Sequence, residues 1–241
     1  MKKVFLLVAA LTIVLSGAMA QKFTPKPSKK PTISGETVKG DKKGKAEQAM
    51  DEYSIKLPVP EYGLDIPLIE ALKSRRTVRD LSDESIPEEV LSSLLWTAYG
   101  FNRPEEGKRV VPSAVNVQEF DIYVFTTKAV YQYYAKENML KMVVKGDYRA
   151  EISNQPHFAV APVSIVIVAN YDRMGVFKDE ETRDFYAAVD AGYVSQDIYL
   201  FCAANKLGTV ACGGIDRKRL EKLLDITNGK ALLAHPVGLI K

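Results

Sequence analysis

Residues 185–207 read FYAAVDAGYVSQDIYLFCAANKL, and this stretch constrains the fold more than any other. Apolar residues fall on nearly every side of a helix of that length, with polar breaks mainly at Asp190, Ser195, Gln196 and Asp197. A helix apolar all round is a buried one. Two carboxylates near its middle argue against a membrane span: in lipid they are costly, whereas inside a protein or between two copies they find partners. The expectation is a central core helix that stops at Gly208, where a helix C-terminus favours glycine, followed by the run TVACGG. At its end Gly213 and Gly214 present bare backbone N–H groups that a ligand can approach closely.

The chain opens with an export pattern. Lys2 and Lys3 precede an apolar run ending at Leu15, and Ala18-Met19-Ala20 supplies the small residues of a cleavage site, so residues 1–20 read as a signal peptide and Gln21 as the mature start. The expected location is periplasmic or secreted. Residues 21–57 turn to Lys, Pro, Ser, Thr and Gly with almost no large apolar side chain, too little to offset the entropy of ordering, and read as a linker. Residues 1–45 hold ten Lys and two acidic residues, net +8, which leaves −5 for the rest of a chain whose total is +3. The basic character therefore belongs to the tail, and no nucleic-acid-binding face is expected on the domain. Cys202 and Cys212 read as two buried free thiols.

Residues 58–241 hold enough chain, about 180 residues, for one core. Residues 66–76 and 87–100 show helical spacing, the second opened by Pro87 with two Glu behind it and closed by Gly100. FDIYVFT at 120–126 and VSIVIV at 163–168 are strand-like, the second apolar enough for the middle of a sheet. Residues 129–146 suit a hairpin turning at Lys136-Glu137-Asn138 better than a helix. A short helix is expected at 216–224 and a terminal strand at 231–240, interrupted at Pro236. The order of elements gives an α+β domain.

The chemistry sits in two clusters. Ser74-Arg75-Arg76-Thr77-Val78-Arg79 sets three guanidinium groups and two hydroxyls at a helix end. Arg suits bidentate phosphate binding, but a solvated basic helix end accounts for the cluster equally well. Pro112-Ser113-Ala114-Val115-Asn116-Val117-Gln118 offers donors and acceptors for a polyol or heterocycle edge, or is simply a turn. His157 and His235, with two separated cysteines, give no metal-ligand spacing, and no metal is expected. The glycine fingerprints of kinases and Rossmann enzymes and the G-x-S-x-G of serine hydrolases do not occur.

Taken in order, SRRTVRDLSDESIPEEVLSSLLWTAYG, PSAVNVQEF, GDYRAEISNQPHFAVAP, DAGYVSQDIYL and LGTVACGG resemble the nitroreductase family of FMN-dependent oxidoreductases, on its SagB-type dehydrogenase-like side. The resemblance runs from about residue 64 to the C-terminus. It implies a nitroreductase-like α+β fold, a central, mainly antiparallel sheet flanked by helices, and a homodimer built on long central helices with FMN sites made from both subunits. Arg75, Arg76 and Thr77 would hold the FMN phosphate and ribityl chain, and Arg79 would lie by the pyrimidine edge. Pro112, Ser113 and Asn116 match the segment facing the flavin, often from the other subunit. Cys212, Gly213 and Gly214 match the segment whose backbone reaches N5 and O4. Lys241 is the basic residue left where relatives carry a further phosphate contact after the last strand, and Gln196-Asp197 stands where Gln-Asn is more usual.

The implied activity is hydride transfer through flavin N5 to or from a small organic substrate such as a nitroaromatic or quinone. The electron donor is left open, and no stable membrane insertion is expected. The alternative is a non-catalytic exported flavin carrier, or a flavin-free dimeric interaction module.

Overall fold

A computed structural model describes residues 53–61 and 66–241. The expected signal peptide and most of the expected linker lie outside the described residues. In chain order the elements are β1 (Ser54–Lys56), α1 (Leu68–Ser74), α2 (Glu88–Tyr99), β2 (Phe101–Arg103), β3 (Lys108–Arg109), β4 (Phe120–Thr126), β5 (Ala129–Tyr134), β6 (Met139–Lys145), α3 (His157–Val160), β7 (Val163–Asn170), α4 (Glu180–Ala204), β8 (Leu207–Thr209), α5 (Arg217–Leu223) and β9 (Gly229–Leu239). Seven strands form one antiparallel sheet in the order β1-β6-β5-β4-β7-β9-β8, and β2 pairs with β3 apart from it. The result is the expected α+β architecture, including the hairpin made by β5 and β6.

Period-two alternation decides what each face of the sheet buries. Ile122 and Val124 of β4, with Ile165 and Ile167 of β7, pack under Leu94 and Leu95 of α2 and Ala191, Val194 and Ile198 of α4. Tyr123, Phe125, Val166 and Val168 point the other way, to Ile152, Phe158 of α3 and Leu220 of α5. Because β7 is covered on both faces, its sequence is apolar from Ile165 to Ala169 without a break rather than alternating. No helix among the described residues is long and apolar enough to cross a membrane.

Four local expectations need correction. Ser54–Lys56, placed in the linker, add an edge strand to β6, and Leu57 is buried behind it, so the domain starts before residue 58. Gly208 does not cap α4. The helix ends at Asn205 with Lys206 at φ 58°, and Gly208 lies inside β8, where an added Cβ would stand 2.5 Å from Leu81. The glycine is there for a close approach between strands and loop. Strand β9 runs unbroken through Pro236, which faces Ser164 and falls between the Thr209–Val237 and Cys212–Ala234 pairings. No ladder bond at that position calls on its missing N–H. Finally, α4 is not buried all round in the single chain: Phe185 (62% exposed), Val189 and Tyr193 form an outward stripe, and α1 likewise exposes Leu68, Ile69 and Leu72.

The inner face of α4 is fixed to the sheet by a buried polar knot. Ser195 Oγ meets His235 Nε2 at 2.8 Å, and Thr209 Oγ1 meets His235 Nδ1 at 3.1 Å. All three side chains are buried, and burial pushes the imidazole down to about 3, so it is neutral and uses one nitrogen as donor and the other as acceptor. This joins α4, β8 and β9 at one point. Replacing His235 with Ala strands two buried hydroxyls and opens a cavity. We expect a loss of about 2–4 kcal/mol, measured by denaturant unfolding.

Candidate functional site

Helix α1 ends with Arg75 at its C-cap, and the chain leaves it extended, with Val78 N–H donating to Thr209 O at 2.9 Å. That bond pins the arginine segment to β8. Arg75 and Arg76, with Lys206, Tyr199 and Ile240, line a cleft of about 450 Å³. Lys73 is neutralised by Glu70 at 2.8 Å, but Arg75, Arg76 and Arg79 meet no carboxylate among the described residues. Three guanidinium groups within five residues, unpaired and solvent-accessible, suit an incoming anion. Lys241 is brought to the same segment by its backbone N–H, which donates to Asp80 O.

Tyr199 of α4 staples this segment to the glycine pair. Its hydroxyl accepts from Ala211 N–H at 2.8 Å and shares a hydrogen bond with Thr77 Oγ1 at 3.1 Å, while the Arg75 guanidinium lies 5.1 Å from its ring centre. Beyond Ala211, Gly213 O accepts from Arg217 and Gly214 O from Ser153, but neither glycine N–H is engaged among the described residues. A Cβ on Gly213 or Gly214 would meet its nearest neighbour at an ordinary 3.8 or 3.7 Å, and neither glycine has positive φ. The protein itself does not require glycine there. Bare, exposed amides are what a ligand with carbonyl or ring-nitrogen acceptors needs. Cys212 is buried and accepts from Gln155 Nε2 at 2.8 Å, so it supports this segment from behind.

Beside them lies His157, only 6% exposed, with its Nε2 buried and unpartnered. Burial first and the Arg79 cation second push its pKa down, so the imidazole stays neutral at physiological pH. Gln155, two residues before it, ties this segment to Cys212 and the glycine pair, and an orphaned buried nitrogen in the field of an unpaired guanidinium fits a polar ring edge better than an apolar core.

The 113–118 loop stands elsewhere. Pro112 and Asn116 are exposed, Ser113 Oγ accepts from Gln118 N–H, and Ala114 N–H donates to Asp190 Oδ2 at 2.7 Å. Val115, Asn116 and Gln118 all have positive φ, at 43°, 61° and 50°. For a β-branched residue such as Val115 that backbone is strained, at a cost of about 1–3 kcal/mol, and persists only where the surroundings hold it. Asp190 and Tyr199 are nine residues apart on α4, which separates their Cα atoms by about 13 Å at 1.5 Å per residue. Within one chain, then, the arginine, glycine and His157 groups converge, whereas Pro112, Ser113 and Asn116 do not join them.

The sequence profile of the nitroreductase family matches residues 72–239. The chain belongs to the nitroreductase family. A Methanocaldococcus jannaschii protein, provisionally named a nitroreductase, is 31% identical over 199 residues, 78% of this chain and 97% of its own. A crystal structure from Ralstonia eutropha, also provisionally named a nitroreductase, is 30% identical, with a TM-score of 0.75 over 79% of this chain and 90% of that one. The NADPH:FMN oxidoreductase of Vibrio harveyi, solved with NAD+, is 19% identical with a TM-score of 0.54 over 72% of this chain and 68% of its own, a likeness of fold. Membership supports oxidoreductase chemistry.

For this nitroreductase-family chain the sequence alone had missed Tyr199, His157 and Gln155. Tyr199 carried no signal beyond being a hydroxyl on an apolar helix. His157 did carry one, a histidine in a loop segment next to a strand, but its orphaned nitrogen exists only in three dimensions. If Tyr199 is the staple, Tyr199→Phe should lower stability by about 1–2 kcal/mol, because the Ala211 N–H loses its acceptor. Calorimetry would show this, and a change below about 0.3 kcal/mol would count against it.

Proposed function

We propose that the protein is an FMN-dependent oxidoreductase that passes a hydride to or from a small organic molecule such as a nitroaromatic or quinone. The observation that carries this reading is the set of three unpaired arginines set beside two bare glycine amides and the unpartnered His157 nitrogen. The first suits a phosphate, and the others suit the acceptor-rich edge of a heterocycle. When bound, FMN supplies a ring that takes up and releases a hydride. The chain's own residues bind and orient it. Arg75 and Arg76 would hold the phosphate by charge-assisted bonds, Thr77 the sugar-like chain, and Arg79 with neutral His157 the polar ring edge. The backbone N–H groups of Gly213 and Gly214 would fix the ring's orientation.

The site is completed by a second copy of the chain in this reading. Ser113 and Asn116 lie too far along α4 to join the arginines of their own chain, and the stripe at Phe185, Val189 and Tyr193, with Leu68, Ile69 and Leu72 of α1, leaves apolar surface for a partner to cover. Sedimentation should give a dimer at micromolar concentration, and Tyr193→Glu together with Val189→Glu should shift it to monomer with loss of bound flavin. A wild-type chain that sediments only as a monomer contradicts the shared site.

The phosphate assignment is tested by ligand choice. Arg75→Ala or Arg76→Ala should each weaken FMN by roughly 1.5–3 kcal/mol, about ten- to a hundredfold, and leave riboflavin, which lacks the phosphate, unaffected. Fluorescence titration with both flavins decides the matter. A double variant that still prefers FMN to riboflavin removes these arginines from the phosphate site. A wild type that binds flavin without turning over a quinone or nitroaromatic under any reductant supports the carrier reading instead.

A further inference from the structure

Glu119 is completely buried, and neither of its carboxyl oxygens has a hydrogen-bond donor. Its neighbour across the gap is another acid, Asp190 of α4, 3% exposed, whose Oδ2 accepts the Ala114 N–H at 2.7 Å. The two residues thus stand at the two ends of one strained segment: Glu119 closes the 113–118 loop in sequence, and Asp190 holds its start through the backbone. With both groups ionised, two negative charges lie close together out of water, and the Ala114 amide serves only Asp190. One shared proton removes the conflict, because it gives a Glu119 oxygen something to donate to Asp190.

We propose that Glu119 and Asp190 form a single-proton latch that holds the 113–118 loop closed against α4, and that loss of the proton releases the loop. The charged and titratable groups around the pair do not replace the proton. Arg173 Nη1 donates to the backbone carbonyls of Glu119 and Phe120 and Nη2 to Asp121 at 2.6 Å, so its charge opposes the rise in Glu119 without pairing with the carboxyl. Tyr99 of α2 turns its hydroxyl to the Phe120 N–H at 3.0 Å. No cation among the described residues reaches either carboxyl of the pair.

Desolvation, and then the charge of Asp190, raise Glu119 to about 7, and burial raises Asp190 as well. A raised carboxyl value means that the closed loop binds the proton more tightly than an open one. Closure is therefore favoured at low pH and weakens as pH rises through about 7. The strained residues at 115, 116 and 118 are the stored tendency to open. The loop is also tied at its far side, where Arg109 Nε donates to Gln118 Oε1 at 2.9 Å, so release concerns the Ala114 end. Since Ser113 and Asn116 lie on this loop, the latch would tie flavin affinity to pH. That consequence rests on the flavin reading, but the latch itself does not.

The test is the hydrogen-exchange protection of the Ala114 amide by NMR in the full-length chain as purified, with the intrinsic chemical rate divided out. Linkage between an ordinary carboxyl and one near 7 gives a fall of about tenfold in protection from pH 6 to pH 8. The Cys212 amide, held by Ala234 O on the glycine segment, is the internal control and should not change. Glu119→Gln carries a permanent donor to Asp190 and should flatten the fall to less than about twofold. Asp190→Asn, which donates to Glu119 instead, should do the same and serves if the first variant does not fold. Protection that is flat in the wild type, that falls equally at Cys212, or that keeps its tenfold fall in both variants would overturn the latch. None of these results bears on whether Arg75 and Arg76 hold a phosphate.

Discussion

The contact of α4 with β8 and β9 is the one on which the rest of this structure depends. Ala187, Ala191, Val194, Ile198 and Phe201 recur every three or four residues and share one core with Ile165, Ile167 and Val237. Burying Val194, Ile198 and Phe201 contributes about 1.5–3 kcal/mol each, more than any single polar contact nearby. On this apolar seam the polar residues of the helix become fixed points. Ser195 reaches His235, Tyr199 reaches Thr77 and Ala211, and Asp190 reaches Ala114. The first ties the helix to strands β8 and β9, and the other two fasten the segments that carry the arginines, the glycine pair and the 113–118 loop.

The two ends of that helix differ in how they treat charge. Near its C-terminal half the arginines of the 75–79 segment stand exposed and unpaired, which costs little in water and leaves their field free for an anion. Near its middle the carboxyls of Glu119 and Asp190 are shut away from water, where an unpaired charge is expensive and a shared proton is the cheapest remedy. Neutral His235 belongs with the second group: burial, with no carboxylate partner among the described residues, holds it unprotonated between its two hydroxyls. At these three places the helix meets exposed cations on one side and buried groups relieved of their charge on the other.

Much of the fold was readable in the chain. FDIYVFT and VSIVIV became β4 and β7, and the tyrosine-rich stretch became the hairpin of β5 and β6, because a period of two and β-branched composition are local properties. Gly208 was misread because glycine ends helices often, whereas here it admits Leu81 and Val78 to within contact of a strand. That requirement belongs to a neighbour more than a hundred residues away. The exposed stripe on α4 marks a related limit: hydrophobicity around a helix says that every face wants cover, and leaves open whether the same chain or a second copy supplies it.

The sequence by itself determined the longer elements, the family, and the residue types available for chemistry, since these follow from periodicity, from turn-forming residues and from motifs in order. Only the tertiary structure decided which of them meet. It set Arg79 by His157, tied the 113–118 loop to Asp190 and the arginine segment to Tyr199, about 13 Å apart along α4, and buried two acids together. Such meetings depend on how a helix and a sheet pack, a long-range property of shape that no stretch of sequence contains.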